Sequence, residues 1–91
     1  PGQLKPGAAT SRLVSLMDLG PTVLSLAGIP TPKAMHAQAF LGPHAAAPRR
    51  YVHLCRDRMD ETPDTIRAVR DARWKYIRNY RPELPYSQHI K

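Results

Sequence analysis

Arg56-Asp57-Arg58-Met59-Asp60-Glu61 packs two guanidiniums and three carboxylates into six residues. Planar guanidiniums at this spacing can grip an anionic oxygen group through paired N–H donors. Asp60 can accept from hydroxyls, and the neighbouring acids would hold the arginines in position. The same residues also describe a solvated, self-paired charged loop that adds little stability. Arg56, Arg58 and Asp60 are the candidate binding residues; no residue is assigned a catalytic or metal-ligating role. Cys55, the single cysteine, ends a strand-like run and reads as a small buried filler. His53 and His36 lack a partner at metal-ligand spacing, and His53 reads as structural. His44 and His89 lie in loop-like context and receive no role.

The elements that position these residues follow from local pattern. Tyr51 to Cys55 is rich in strand formers, with Val52 and Leu54 on one face. Arg56 to Asp64 reads as a charged connection ended by Pro63. Residues 65–70 and 74–80 form an expected antiparallel hairpin turning at Asp71-Ala72, with 51–55 as its neighbour. Trp74, Tyr76 and Tyr80 share one face, which should pack as core because the chain has few other large side chains. Upstream, Leu13 to Leu16 reads as a short buried strand. Asp18 reads as a helix N-cap, with Pro21 in the first turn where a missing N–H costs little. Val23, Leu24, Leu26 and Ala27 mark a buried helical face. Gly28 should stop this helix as a left-handed C′ residue, with Pro30 and Pro32 preventing its continuation. Residues 30–50 are irregular. The pattern is α+β: a short helix followed by a small antiparallel sheet of about three strands.

Ninety-one residues hold one small domain at most, with a modest buried core. A single cysteine excludes an internal disulfide framework, and ten prolines exclude a bundle of long helices. No stretch approaches a membrane span, so no membrane partner is expected. The start at Pro1-Gly2 without Met suggests a processed or truncated product. Net charge is +7, and ten of the fourteen basic residues are arginine. Residues 49–91 carry most of the excess, eleven basic against six acidic. This favours an anionic partner. Bases and aromatics interleave over Lys75 to Tyr80, as in a small basic module for nucleic acid or another polyanion. Acids interleave with the arginines around Asp57–Asp64, however, where a nucleic-acid surface is more often purely basic. Nucleic acid is therefore the second reading.

From Leu13 the chain reads L-V-S-L-M-D-L-G-P-T-V-L-S-L-A-G-I-P-T-P, and Ala39 to Gly42 adds A-F-L-G. Between Arg50 and Gln88 it carries R-D-R-M-D-E and then R-A-V-R-D-A-R-W-K-Y-I-R-N-Y-R-P-E-L-P-Y. Together these segments resemble the C-terminal part of the sulfatase family, whose catalytic domain is similar to alkaline phosphatase. The first falls on the family's D-L-x-P-T-x-L-x-L-A-G-x-x-x-P pattern at Asp18, Leu19, Pro21, Thr22, Leu24, Leu26, Ala27, Gly28 and Pro32. The second resembles a bacterial subgroup of arylsulfatase or heparan N-sulfatase type. Ala37 stands where family members often have Gly.

The resemblance implies a parent that hydrolyses sulfate esters or sulfamates, using a formylglycine and a divalent cation, calcium. The formylglycine forms from Cys or Ser in a C/S-x-P/A-x-R context. Cys55 has Asp57 at +2 and Met59 at +4, so it does not fit. The chain is then expected to lack the chemical centre and to hold no cofactor itself. Residues 1–48 would be the end of the catalytic domain, and 49–91 its C-terminal strands and tail. Arg56, Arg58 and Asp60 would help bind a sulfated sugar or aryl sulfate. The expected partners are the rest of the parent and, through an open sheet edge, a second copy.

Overall fold

The computed structural model describes residues 4–59 and 62–84. In chain order these form a 3-10 turn at Leu16–Asp18, α1 (Leu19–Leu26), β1 (Val52–Met59), β2 (Thr62–Arg70) and β3 (Lys75–Asn79). This is the α+β pattern the sequence predicts. The chain divides into two compact units, Pro1–Arg50 and Tyr51–Lys91. Among the described residues no helix is long and apolar enough to cross a membrane.

In the first unit, Leu13 to Leu16 is not a strand. A capping box intervenes: the Ser15 hydroxyl accepts from the Met17 amide, and the Ser15 amide donates to Asp18 Oδ2 at 3.0 Å. This starts the 3-10 turn that leads into α1. Asp18 stands at the α1 N-cap position, but its side chain makes no capping bond to that helix. Its carboxylate instead reaches back to Ser15 and across to the amide of Gln38 at 3.1 Å. The far end of α1 follows expectation. Gly28 has φ +79°, its amide bonds the Ser25 carbonyl, and the Ile29 amide bonds the Leu24 carbonyl. These are the paired bonds of a Schellman motif, which needs a left-handed C′ residue.

α1 buries the opposite face from the one its apolar periodicity suggests. Pro21, Thr22 and Ser25 are buried, whereas Val23 and Leu26 are 65% and 48% exposed. The reason is a zipper of hydrogen bonds to the loop after the helix. Asp18, Thr22 and Ser25, spaced to share one helical face, accept from the amides of Gln38, Phe40 and His44 at 3.1, 3.1 and 3.0 Å. The loop must approach closely to make these bonds. At Gly42 (φ +85°) a Cβ would meet Ser25 backbone atoms at 2.8–2.9 Å. The buried Ala39 lies within this loop, and its carbonyl accepts from the Ala46 amide.

The second unit is an antiparallel sheet in the order β1-β2-β3. Residues 56–59 belong to β1 rather than to a connection, because pairing with β2 continues to Met59↔Thr62. A bulge between Arg56 and Arg58 absorbs the irregularity: Arg56 faces Ile66, but Arg58 faces Pro63. Pro63, lacking an N–H, is tolerated beside this break in the ladder. The β2–β3 turn is longer than the expected Asp71-Ala72. Asp71 Oδ1 accepts from the amides of Arg73 and Trp74, which leaves Trp74 in the turn and starts β3 at Lys75. Register places Leu54, Ala68 and Ile77 on one face, and His53, Val69 and Tyr76 on the other. Trp74 and Tyr76 are exposed rather than core, because the described part of this small sheet has no covering layer of its own over their face.

Candidate functional site

The candidate binding residues sit at the distal half of the β1–β2 pair. The bulge on β2 puts Asp64 and Thr65 opposite the single residue Asp57. Asp64 thereby comes within reach of Arg56, with Nε 3.4 Å from Oδ2. Asp64 Oδ1 also accepts from the Thr65 amide at 2.8 Å, which fixes the carboxylate. Arg56 is partly buried and lines a shallow, open concavity of about 340 Å³. Its floor is Leu54, Ile66, Ala68 and Ile77, with Lys75 on the same face.

Asp57 points to the opposite face, where its Oδ1 lies 2.6 Å from Arg67 Nη2. Both side chains are solvent-exposed, so this pair contributes little to stability. Arg58 is exposed, and no described acid forms an ion pair with it. Asp60 lies outside the described residues. The structure thus separates the three candidates: Arg56 pinned by Asp64, Arg58 presented to solvent, and Asp60 not described. A guanidinium held by one carboxylate, next to one open to water, can orient an anionic group. It offers no nucleophile.

Cys55 is exposed, not buried. It borders the concavity between Leu54 and Arg56, while strand alternation directs its side chain to the face where it registers with Arg67. His53 and His36 are also exposed. His44 does have a place: its amide joins the zipper, and its Nε2 lies 3.3 Å from the Gly28 carbonyl. The residues here do not fit a formylglycine and calcium centre. The sequence around Cys55 departs from the required motif, and the described residues contain no cluster of three metal-ligating side chains.

Sequence reasoning missed Asp64 as the partner of Arg56 and Arg67 as the partner of Asp57. Pro63 was the available signal for the bulge that creates the Arg56–Asp64 contact. It also missed Arg49, which grips Asp18 in the first unit. Burial pushes the Asp18 carboxyl up, but the amides of Ser15 and Gln38 and the Arg49 guanidinium outweigh it and leave its pKa below the ordinary value.

With this geometry in place, the chain's relatives become informative. It is 46% identical over 86 residues to an ulvan-active sulfatase of Formosa agariphila, a match covering 94% of this chain. A second ulvan-active sulfatase of the same organism is 32% identical over 87 residues, covering 88% of this chain. The chain is sulfatase-like over nearly its whole length, and its extent fits the C-terminal part of one. It spans only 14% and 17% of the length of these two relatives. No family model matches the chain, and no solved structure matches it.

Proposed function

We propose that this chain is the C-terminal segment of a sulfatase that hydrolyses sulfate esters or sulfamates. In this reading it supplies part of the architecture and a substrate-orienting hairpin, while the nucleophile and metal site lie elsewhere in the longer protein. The match to an ulvan-active sulfatase across 94% of the chain carries the proposal. The parent has an alkaline-phosphatase-like fold, and the apolar surfaces left open here pack against its remaining layers. Leu16 in the 3-10 turn and Leu19, Val23 and Leu26 on α1 form such a surface, all exposed and at helical spacing. The parent uses a formylglycine and calcium, supplied by other residues.

Arg56, Arg58 and Asp60 contact the sulfated sugar away from the bond that breaks. Arg58 binds the anionic group, Arg56 lines the wall, and Asp60 accepts from sugar hydroxyls. The test is Arg58→Ala in the intact protein. It should lower kcat/KM about tenfold or more on a charged sugar substrate, the loss of one charge-assisted contact. It should leave a small aryl sulfate nearly unaffected, because that substrate does not reach the clamp. Arg58→Lys should restore activity only in part, since an ammonium lacks the paired donors. Equal loss on both substrates, or no loss on either, would refute this role.

A further inference from the structure

We infer that the sheet face carrying Tyr76, Arg78 and Tyr80, with Trp74 in the preceding turn, is a docking track for an extended sulfated polysaccharide. This rests on the sulfatase reading but concerns the opposite face of the sheet from Arg56. Register places Arg56 with Ile66 and Asn79, whereas Tyr76 aligns with Val69 and His53.

Trp74, Tyr76 and Tyr80 are 69%, 64% and 51% exposed. Large aromatic rings open to water mark interaction surfaces more than they mark ordinary solvated strands. Two of the rings have a guanidinium over them within cation–π range. Arg78 lies 4.5 Å above the Tyr80 ring centre, and Arg73 lies 5.3 Å from that of Trp74. A guanidinium in this position retains N–H donors for a sulfate or carboxylate.

Charge complementarity selects the occupant. Residues 72–82 contain no acid; of their basic residues Arg78 lies on this face and Arg73 in the turn before it, whereas Lys75 lies on the other face. The acid beyond one end is engaged, with Glu83 paired to Arg81 at 2.9 Å. At the other end an Asp71 oxygen is occupied by the amides of Arg73 and Trp74. Across the sheet, Arg67 is neutralised by Asp57, so Arg78 is the guanidinium this face offers. Alternating rings and a guanidinium suit a sugar polymer, whose apolar ring faces stack while its sulfates pair. Tyr76 and Tyr80 are four residues apart, roughly 13 Å along the chain at strand rise. Tyr80 is held in line with the ladder by its amide bond to the Thr65 carbonyl at 2.9 Å. That span exceeds one sugar ring, so the track rewards a polymer and not a monosaccharide.

The experiment measures binding of the intact protein to dextran sulfate, neutral dextran and duplex DNA, alongside turnover of an aryl sulfate. Tyr76→Ala with Arg78→Gln should weaken dextran sulfate binding about tenfold or more and leave aryl sulfate kcat/KM unchanged. Trp74→Ala, in the turn and outside the ladder, should weaken it severalfold without touching the sheet. Hydroxyl-radical footprinting should find Trp74 and Tyr76 reactive in the free protein and protected by dextran sulfate. Undiminished dextran sulfate binding in both variants would overturn the proposal. So would equal affinity for DNA, or rings already protected in the free protein, which would make this face an internal interface. Absence of aryl sulfate turnover in the unmutated protein would instead contradict the sulfatase reading, independently of the binding result.

Discussion

Arg49 holds both carboxylate oxygens of Asp18. Its Nε lies 3.2 Å from Oδ2, and its Nη2 donates to Oδ1. The Asp18 side chain is almost fully buried, while that of Arg49 is partly open to solvent. Thirty-one residues separate the two, so this contact closes the first unit into a loop. The 3-10 turn, α1 and the amide of Gln38 meet at a single carboxylate.

Replacing either partner should therefore unfold this unit readily. Arg49→Ala leaves a buried carboxylate without its counter-charge, and a loss of about 3 kcal/mol is expected. Arg49→Lys should recover part of it, since a single ammonium cannot satisfy both oxygens. Urea unfolding of the intact protein, followed by hydrogen exchange in residues 15–49, measures the effect. Stability unchanged by Arg49→Ala would contradict the structural role given to the pair.

The same carboxylate sets a pH dependence. Its folded pKa lies below the ordinary value, so folding favours the deprotonated form. The stabilisation is complete above the unfolded Asp value of about 3.9 and is lost as pH falls through the lower folded value. Asp18→Asn should lower stability at neutral pH and flatten this acid limb. An acid limb equally steep in Asp18→Asn would assign it to other carboxylates.

Gly42→Ala should be among the most disruptive single-methyl changes. The residue has φ +85°, and the added Cβ would lie 2.6 Å from Ser25 Oγ and 2.9 Å from its carbonyl oxygen. Relief would require withdrawing the loop, which breaks the His44–Ser25 bond. The expected cost is about 2 kcal/mol or more, read as a fall in Tm. Gly20→Ala is the control: nothing lies within 4 Å, and the helical position favours Ala by about 1 kcal/mol.

The ends of α1 were legible in the sequence because they depend on local chemistry. Gly28 supplies a left-handed residue, and Pro21 fits the first turn. The three strands were legible for a similar reason, since alternation and β-branching are local signals. Which face of α1 is buried was not legible. Periodicity marks the apolar stripe at Val23, Leu24, Leu26 and Ala27, but not whether the element that covers it belongs to this stretch of chain. The burial of Asp18, Thr22 and Ser25 depends on amides roughly twenty residues away. At the candidate site, charge composition pointed to Arg56 and Arg58. Only the bulge distinguishes the arginine held by Asp64 from the one left in water.

Isolation of the 91-residue chain should expose the surfaces that the longer protein covers. Leu16 in the 3-10 turn and Leu19, Val23 and Leu26 on α1 are all exposed. The isolated chain should bind an apolar dye strongly and self-associate with rising concentration. The intact protein should do neither to the same extent. A monodisperse isolated chain without dye binding would show that these faces need no cover.

The most direct test of the account is sulfate release, measured by ion chromatography, from a sulfated sugar polymer. The intact protein should release sulfate, the isolated 91-residue chain should release none with or without added calcium, and Cys55→Ala in the intact protein should leave the rate unchanged. That result places the chemistry outside this chain and leaves the hairpin to orient substrate. Release by the isolated chain, or its abolition by Cys55→Ala in the intact protein, would contradict the account.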